Sequence, residues 1–157
     1  MNGNIEILSK RLVGGEVVGD LLVKYSDELQ STTIDKNIIP RLIDEIPVIA
    51  VLASQAEGST IIKDAKELKV KESNRIKATV DNLKKMGCDI EELEDGMIIK
   101  GKCSLKGAEI ETFKDHRIAM AFSIANLISD GEVKLDNKEC MDISFPGYFN
   151  LLKNLCK

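Results

Sequence analysis

The feature that most constrains the fold of this chain is a repeat in the order of its residue patterns. Residues 44–73 run from an apolar stretch with the pattern of a buried helix through Gly58, a β-branched strand and a charged loop to a helix start. The same order returns over residues 115–144, around Gly131. Matching positions lie 71 to 73 residues apart, a spacing that predicts two copies of a strand–helix–strand–helix–hairpin unit.

The repeat divides the chain into one complete unit and two incomplete ones. Residues 1–30 are predicted to be the closing hairpin of a preceding unit, residues 31–101 a complete unit, and residues 102–157 a second unit without its hairpin. We therefore predict an α/β (α+β) chain that forms a single partial domain over residues 1–157. A chain that starts with the end of one unit and stops before the end of another is expected to be part of something larger.

Periodicity and turn residues predict the individual elements. Strands are expected in a hairpin over residues 4–24 that turns at Gly14-Gly15, at 32–34, at 60–62, in a hairpin over 89–99, at 108–111 and at 133–135. Helices are expected from Asp44 to Gly58, over 73–86 with Ser73 as N-cap, over 117–128, and near the C-terminus through Leu151 and Leu155.

Charge and hydropathy exclude several classes of protein. The 157 residues carry 22 basic and 26 acidic side chains, a net charge of −4, which argues against a nucleic-acid binder. No apolar run approaches the roughly 20 residues that span a bilayer. The first residues lack a basic stretch followed by an apolar core, so we expect no signal peptide, no membrane partner and a cytoplasmic location.

The four cysteines and the single histidine do not form a metal-binding pattern. Cys88, Cys103, Cys140 and Cys156 include no CxxC pair, and His116 is distant from all four in sequence. We expect neither a zinc site nor a disulfide framework, but small apolar fillers in a reducing compartment.

Three charged stretches lie at predicted helix starts, over residues 41–47, 69–75 and 114–117. Each alone has a structural interpretation, as an acid facing a helix dipole, a solvated loop or a satisfied histidine. Together they supply carboxylates, lysines, a histidine and three of the four arginines of a chain with 18 lysines. Free N–H groups at helix starts favour anions, so the pattern indicates a pocket for a phosphorylated anion with groups that move protons.

Four motifs together resemble the 5-enolpyruvylshikimate-3-phosphate synthase family. They are Leu42-Ile43-Asp44-Glu45-Ile46-Pro47, Lys71-Glu72-Ser73-Asn74-Arg75, Asp115-His116-Arg117-Ile118-Ala119-Met120-Ala121 and Ser144-Phe145-Pro146. They come in the family's order and spacing, and the resemblance covers essentially the whole chain but only the C-terminal part of the enzyme.

The resemblance implies an incomplete enolpyruvyl transferase fold, an inverse α/β barrel-like domain. The family has two domains of three α/β units each, with substrates between them, and its N-terminal strands help close the domain to which this chain corresponds. The implied reaction transfers the enolpyruvyl group of phosphoenolpyruvate to the 5-hydroxyl of shikimate 3-phosphate and releases phosphate. That reaction belongs to the shikimate pathway of aromatic amino-acid biosynthesis.

The motifs also imply catalytic roles. Asp44 matches the acid at the 5-hydroxyl, a candidate base. Lys71 matches a lysine near that hydroxyl and the substrates. Glu72 matches the acid near the methylene carbon of phosphoenolpyruvate, a candidate for proton transfer.

The remaining matched residues concern phosphoenolpyruvate itself. Arg75 and Arg117 match arginines that clamp its carboxylate and phosphate, and His116 matches a histidine beside that site with a supporting role. Arg and Lys meet the phosphate charge, so we expect neither a metal nor another cofactor.

Two departures limit this expectation. Many members of the family have a lysine where this chain has Ile143, and Lys138 is a candidate replacement. The family's N-terminal half, which supplies most contacts to shikimate 3-phosphate, is absent from the chain, so we expect little or no activity from this chain alone and name the missing portion as a partner.

Other functions stay open on sequence grounds. A non-catalytic anion-binding module on the same scaffold would not require Asp44, Glu72 and His116. A UDP-N-acetylglucosamine enolpyruvyl transferase would share the fold but differs at the motifs. A cyclase acting on RNA ends fits poorly with the acidic balance.

Overall fold

A computed structural model of the chain describes residues 1–156. Its strands are β1 (Asn4–Val13), β2 (Glu16–Lys24), β3 (Thr33–Ile34), β4 (Gly58–Ile62), β5 (Asp89–Leu93), β6 (Gly96–Gly101), β7 (Glu109–Ile110) and β8 (Lys134–Leu135). Its α-helices are α1 (Ile39–Leu42), α2 (Ile46–Ala53), α3 (Arg75–Lys85), α4 (His116–Ala125) and α5 (Tyr148–Leu155).

The strand pairing repeats along the chain. β3 and β4 are parallel, with α1 and α2 between them in sequence, and the antiparallel hairpin β5–β6 adds to the other edge of β4. The resulting sheet has the order β3-β4-β6-β5. β7 and β8 form a second parallel pair around α4, but no hairpin of residues 1–156 adds to β8. The division of the chain into units at residues 30 and 101 stays a prediction.

The core lies between the helices and the four-stranded sheet. α2 packs against α4 and against α3, and α3 packs against β5 and β6. Ile46, Val51, Leu83, Ile99 and Phe122 are among its fully buried side chains. The mostly apolar α2 and α4 are buried on several sides, as their continuous apolar pattern predicts.

The helix boundaries differ from the predicted ones near the charged stretches. α2 begins at Ile46 instead of Asp44, because residues 43–45 form a 3₁₀ turn that continues from α1. α4 begins at His116, with Asp115 as its N-cap, and ends at Ala125. Gly58 does not end a helix: it has a φ of +90° and is the first residue of β4.

The expectation of unpaired cysteines is wrong for Cys88 and Cys103, which form a disulfide with their Cα atoms 5.3 Å apart. Cys88 directly precedes β5 and Cys103 follows β6. Because β5 and β6 are antiparallel neighbours, the segments that flank them lie side by side. Cys140 and Cys156 have free thiols.

The predicted N-terminal hairpin is confirmed as β1–β2, which turns at Gly14 and Gly15 with φ values of +59° and +88°. Nearly all of its residues are exposed, and it forms a two-stranded sheet of its own. None of the helices within residues 1–156 has the length and hydropathy needed to cross a membrane.

Candidate active site

The starts of three helices meet at one place in the fold. Asp44 lies in the 3₁₀ turn before α2, Arg75 is the first residue of α3, and Asp115 is the N-cap of α4. Arg75 hydrogen-bonds to both aspartates, and Arg117 Nη1 lies 3.4 Å from the backbone oxygen of Asp44. The three charged stretches that are separate in sequence therefore meet in one cluster. We call it the carboxylate–arginine cluster; it consists of Asp44, Lys71, Glu72, Ser73, Arg75, Asp115 and Arg117.

The guanidinium of Arg75 is the centre of this cluster. Its Nε donates to Asp115 Oδ2 at 2.8 Å, and its Nη2 donates to Asp115 Oδ1 at 3.2 Å. Nη1 donates to Asp44 Oδ1 at 2.8 Å, and Nη2 also donates to Glu72 Oε2 at 2.6 Å. The side chain is only 2% exposed, so three carboxylates satisfy a buried cation that would otherwise be very unfavourable.

Asp115 anchors Arg75 from the interior. Its carboxylate also accepts from Ser73 Oγ at 2.9 Å and from the backbone N–H of Arg117 at 2.9 Å. Burial alone would raise the pKa of Asp115, but the hydrogen bonds from Arg75 and Ser73, the Arg75 charge and the Arg117 N–H together hold it below its ordinary value of 3.8. Asp115 is therefore an ionised, fixed group.

Asp44 faces two cations at the outer side of the cluster. Lys71 Nζ lies 3.3 Å from Asp44 Oδ1, the same oxygen that accepts from Arg75. Burial raises the pKa of Asp44, yet Lys71 and Arg75 outweigh this effect and lower it. Hydrogen bonding to Glu67, and then to Asp44, raises the pKa of Lys71. Asp44 is ionised here and half exposed, so its carboxylate can be reached from solvent.

Arg117 and His116 lie next to this arrangement at the start of α4. Arg117 Nη1 pairs with the carboxylate of Glu45, which follows Asp44. His116 is partly exposed, and its side chain makes no hydrogen bond to any other residue in the described range 1–156. A cleft of about 160 Å³ adjoins Asp44 and Arg117 and continues to Met120 and Tyr148.

Ile143, which stands where many family members have a lysine, and Lys138, the candidate replacement for that lysine, lie between β8 and α5. Ile143 is 89% exposed. Lys138 Nζ lies 5.6 Å from the centre of the Phe149 ring, a cation–π distance. No ion pair joins Lys138 to the carboxylate–arginine cluster in the part of the chain that the structure describes. Its role as a replacement for the family's lysine stays a prediction.

Sequence reasoning missed two residues of the cluster. The motif over residues 115–121 assigns no role to Asp115, although an aspartate before an apolar helix is a recognisable N-cap signal. Ser73 was predicted to cap α3, but Asn74 is the cap and accepts from the Lys77 N–H at 3.1 Å. Ser73 donates to Asp115 instead.

No group of three or more histidine, cysteine or acidic side chains within residues 1–156 is arranged to hold a metal ion. Lys71 and Arg117 are the partly exposed cations of the cluster, and Arg75 is the buried one that carboxylates now occupy. The arrangement can bind a carboxylate or phosphate at the arginines and place Asp44 and Glu72 beside it.

Comparisons with known proteins agree with this geometry. The family model described as EPSP synthase (3-phosphoshikimate 1-carboxyvinyltransferase) matches residues 9–152. Over all 157 residues the chain is 54% identical to the 3-phosphoshikimate 1-carboxyvinyltransferase of Alkaliphilus oremlandii and 52% identical to that of Thermodesulfovibrio yellowstonii. It spans 36% of the length of each of these relatives.

Solved structures give the same result for the fold. An EPSP synthase structure from Acinetobacter baumannii superposes with a TM-score of 0.93 at 38% identity and covers 98% of this chain, which spans 36% of that one. The enolpyruvyl transferase NikO from Streptomyces tendae, at 17% identity, has a TM-score of 0.66 over 97% of this chain and supports the fold alone. The predicted fold class, an incomplete enolpyruvyl transferase fold of mixed helices and strands, is confirmed. The motifs, the fold and the extent of the match establish that this chain belongs to the EPSP synthase family.

Proposed function

We propose that this chain forms part of an enzyme that transfers the enolpyruvyl group of phosphoenolpyruvate to the 5-hydroxyl of shikimate 3-phosphate. The observation that carries the proposal is that the carboxylates of Asp44 and Glu72 both accept hydrogen bonds from the guanidinium of Arg75. An anion-binding module requires cations, but it gives no reason to place two carboxylates on the arginine that would bind the ligand. The chain spans about a third of its relatives, so the missing portion is proposed as its partner.

The proposed addition step uses Asp44 as base and Glu72 as acid. The 5-hydroxyl oxygen bonds to C2 of phosphoenolpyruvate while its proton passes to Asp44. The methylene carbon takes a proton from Glu72, and the carboxylates nearby stabilise the positive character that develops at C2.

The proposed elimination step releases inorganic phosphate. The bond between C2 and the phosphate oxygen breaks, and the electron pair leaves with the phosphate, which takes up the proton that Asp44 accepted in the addition step. A proton on the new methyl group returns to Glu72, which regenerates the double bond of the enolpyruvyl product. Arg117 and Lys71 are proposed to neutralise the phosphate charge as it departs, with His116 in a supporting role.

Arg75 is proposed to exchange partners when phosphoenolpyruvate binds. Its Nη1 and Nη2 atoms contact Asp44 and Glu72, whereas Asp115 holds the edge formed by Nε and Nη2. A substrate carboxylate can take the Nη side without loss of the Asp115 pair. Asp44 and Glu72 would then be released to the reacting groups.

The test measures phosphate release from phosphoenolpyruvate plus shikimate 3-phosphate. We expect none from this chain alone, and we expect activity when the N-terminal portion of a close relative is added in trans, because each half supplies only part of the contacts. Turnover by the chain alone would contradict the divided site. No activity in the mixture, with both pieces folded and associated, would favour the anion-binding module.

A cytoplasmic location is proposed as well and is tested by fractionation of cells that express the chain from its own gene.

A further inference from the structure

The turn that leads into α4 has a strained backbone. Phe113 and Lys114, the two residues before the N-cap Asp115, have φ values of +54° and +57°. Residues other than glycine rarely adopt this left-handed region, and two of them in succession persist only where the surrounding structure holds them. Both side chains are exposed, which leaves the flanking backbone as the place where the turn is held.

Thr112, which precedes this turn, is bonded to Asp136. Its backbone N–H and its hydroxyl both donate to Asp136 Oδ1, at 2.9 and 2.6 Å. Thr112 is fully buried, and Asp136 directly follows β8. Because β7 and β8 are parallel neighbours, the residues that follow the two strands lie side by side. Two bonds to one charged oxygen therefore fix the backbone where the turn begins.

Thr112 is also bonded to the far end of the turn. Its carbonyl oxygen accepts from the backbone N–H of Asp115 at 2.9 Å, and its hydroxyl oxygen accepts from the backbone N–H of Lys114 at 3.3 Å. The side chain of Asp115 leaves the backbone at this point and bonds to Arg75. Thr112 therefore closes the turn that carries the buried counter-charge of Arg75, and Asp136 holds Thr112.

The segment over residues 111–115 is attached to α3 at two points. Asn82 Nδ2 donates to Glu111 O at 2.8 Å, and Glu111 N donates to Asn82 Oδ1 at 3.1 Å. Arg75 and Asn82 are seven positions apart in α3, so they lie on one face of the helix. Asn82 bonds the start of the segment and Arg75 bonds its end. The position of Asp115 relative to Arg75 therefore depends on the course of the backbone between these two points.

The parallel pair β3–β4 has the same kind of bond. The N–H of Lys36, two residues after β3, donates to Asp64 Oδ2 at 3.2 Å, and Asp64 is the second residue after β4. Thr112 is likewise the second residue after β7, and Asp136 is the first after β8. In both pairs an aspartate beyond the second strand holds the segment that leads from the first strand to a helix. This recurrence at corresponding places indicates a defined role for the bond.

We propose that Thr112 and Asp136 are positioning residues for the carboxylate–arginine cluster. They hold the strained turn and thereby place Asp115 where its carboxylate orients the guanidinium of Arg75. Among the described residues 1–156, neither of them is bonded to Arg75, so both act through Asp115. The effect on Arg75 follows from the geometry alone, whereas its consequence for catalysis rests on the function proposed above.

Solvent exchange of the Arg75 Nε–H, measured by NMR spectroscopy on the whole chain, tests the positioning. This N–H is buried and donates to Asp115, so it should exchange slowly, and lysine substitutions at the other three arginines assign its signal by elimination. In Asp136→Ala and in Thr112→Val the exchange should be about 10-fold faster, the factor that corresponds to one lost bond to a charged group. Asp136→Asn keeps an oxygen acceptor and Thr112→Ser keeps a hydroxyl, so both should stay close to the parent chain.

Two controls separate positioning from a general loss of stability. Glu132→Ala removes an exposed carboxylate four residues before Asp136 and should leave the exchange unchanged. The backbone N–H of Ile99, in the central strand pair of the four-stranded sheet, reports the stability of the core. Faster exchange at Arg75 with little change at Ile99 would support the proposal. Equal acceleration at both, or unchanged exchange at Arg75 in Asp136→Ala and Thr112→Val, would overturn it.

The enzyme reconstituted with the missing portion provides a separate readout. Arg75 is assigned to phosphoenolpyruvate, so its displacement in Asp136→Ala should raise KM for phosphoenolpyruvate by about 10-fold and change KM for shikimate 3-phosphate far less. Equal increases in both KM values would contradict an action through Arg75. If the mixture with the parent chain gives no turnover, the proposed function fails, and the exchange measurement still decides whether Thr112 and Asp136 position Asp115.

Discussion

Arg75 and Asp115 form an ion pair in which the two side chains are 2% and 0% exposed, and no other pair in residues 1–156 is buried on both sides. The two residues are 40 positions apart in sequence, and each lies at the start of a different helix. The pair therefore joins α3 to α4 directly beneath Asp44 and Glu72.

Asp115→Asn should strongly destabilise the chain. The substitution keeps the shape but leaves the Arg75 guanidinium buried without its main counter-charge, for which a loss of about 3 kcal/mol in the free energy of unfolding is expected. Urea unfolding measures the loss. Asp89→Asn, which removes one member of the exposed Lys100–Asp89 pair, is the control and should have little effect. Similar losses for both variants would show that the buried pair contributes no more to the free energy of unfolding than the exposed pair does.

The effect of Asp115→Asn should depend on pH. The pKa of Asp115 is lower in the folded chain than its ordinary 3.8, so its stabilising contribution is full above that value and is lost as pH falls towards the folded-state pKa. The difference in unfolding free energy between the parent chain and Asp115→Asn should therefore be constant near neutral pH and shrink below pH 3.8. Urea unfolding at a series of pH values measures this, and a difference that does not shrink in acid would contradict the assigned ionised state.

Ser73→Ala and Asn74→Ala should act through different groups. Asn74 caps α3, so its loss should cost about 1 kcal/mol, with no dependence on Asp115. Ser73 donates to Asp115, so its loss should cost about 1.5 kcal/mol, and much less once Asp115→Asn is present. Double-mutant cycles measure both couplings, and a coupling of Asn74 with Asp115 as large as that of Ser73 would refute the distinction.

Glu72→Gln should lower the turnover number of the enzyme reconstituted from this chain and the missing portion. Loss of a proton donor and acceptor is expected to reduce kcat by about 100-fold or more. Steady-state phosphate release measures it. Glu67→Gln, which removes a carboxylate that pairs with Lys71 at the edge of the cluster, is the control and should change kcat far less. Equal losses would indicate that the negative charge of the cluster matters more than proton transfer by Glu72.

Much of the fold could be predicted because local patterns are informative there. The hairpin at Gly14-Gly15, the hairpin β5–β6 and the buried helices α2 and α4 follow from alternation, turn residues and continuous apolar stretches. The helix starts could not be located to the residue, because the 3₁₀ turn over residues 43–45 depends on how α1 leads into α2. The disulfide was missed because Cys88 and Cys103 become neighbours only when β5 pairs with β6.

The sequence motifs predict which residues form the site, but not which of those residues are bonded to one another. Asp44, Lys71, Glu72 and Arg75 were named from motifs, and the structure brings these four together. Their catalytic and binding roles, together with those of Arg117 and His116, stay predictions.

The amino-acid sequence by itself determined the repeated order of helices and strands, the charged helix starts and the family, because all three are written in local patterns and spacing. Only the tertiary structure decided that Arg75 is bonded to three carboxylates, that Ser73 supports Asp115 instead of capping α3, and that β8 and α5 lack the hairpin that β4 and α3 have. These relationships join residues tens of positions apart. The packing of α2, α3 and α4 brings them within hydrogen-bonding distance, and no local pattern encodes that distance.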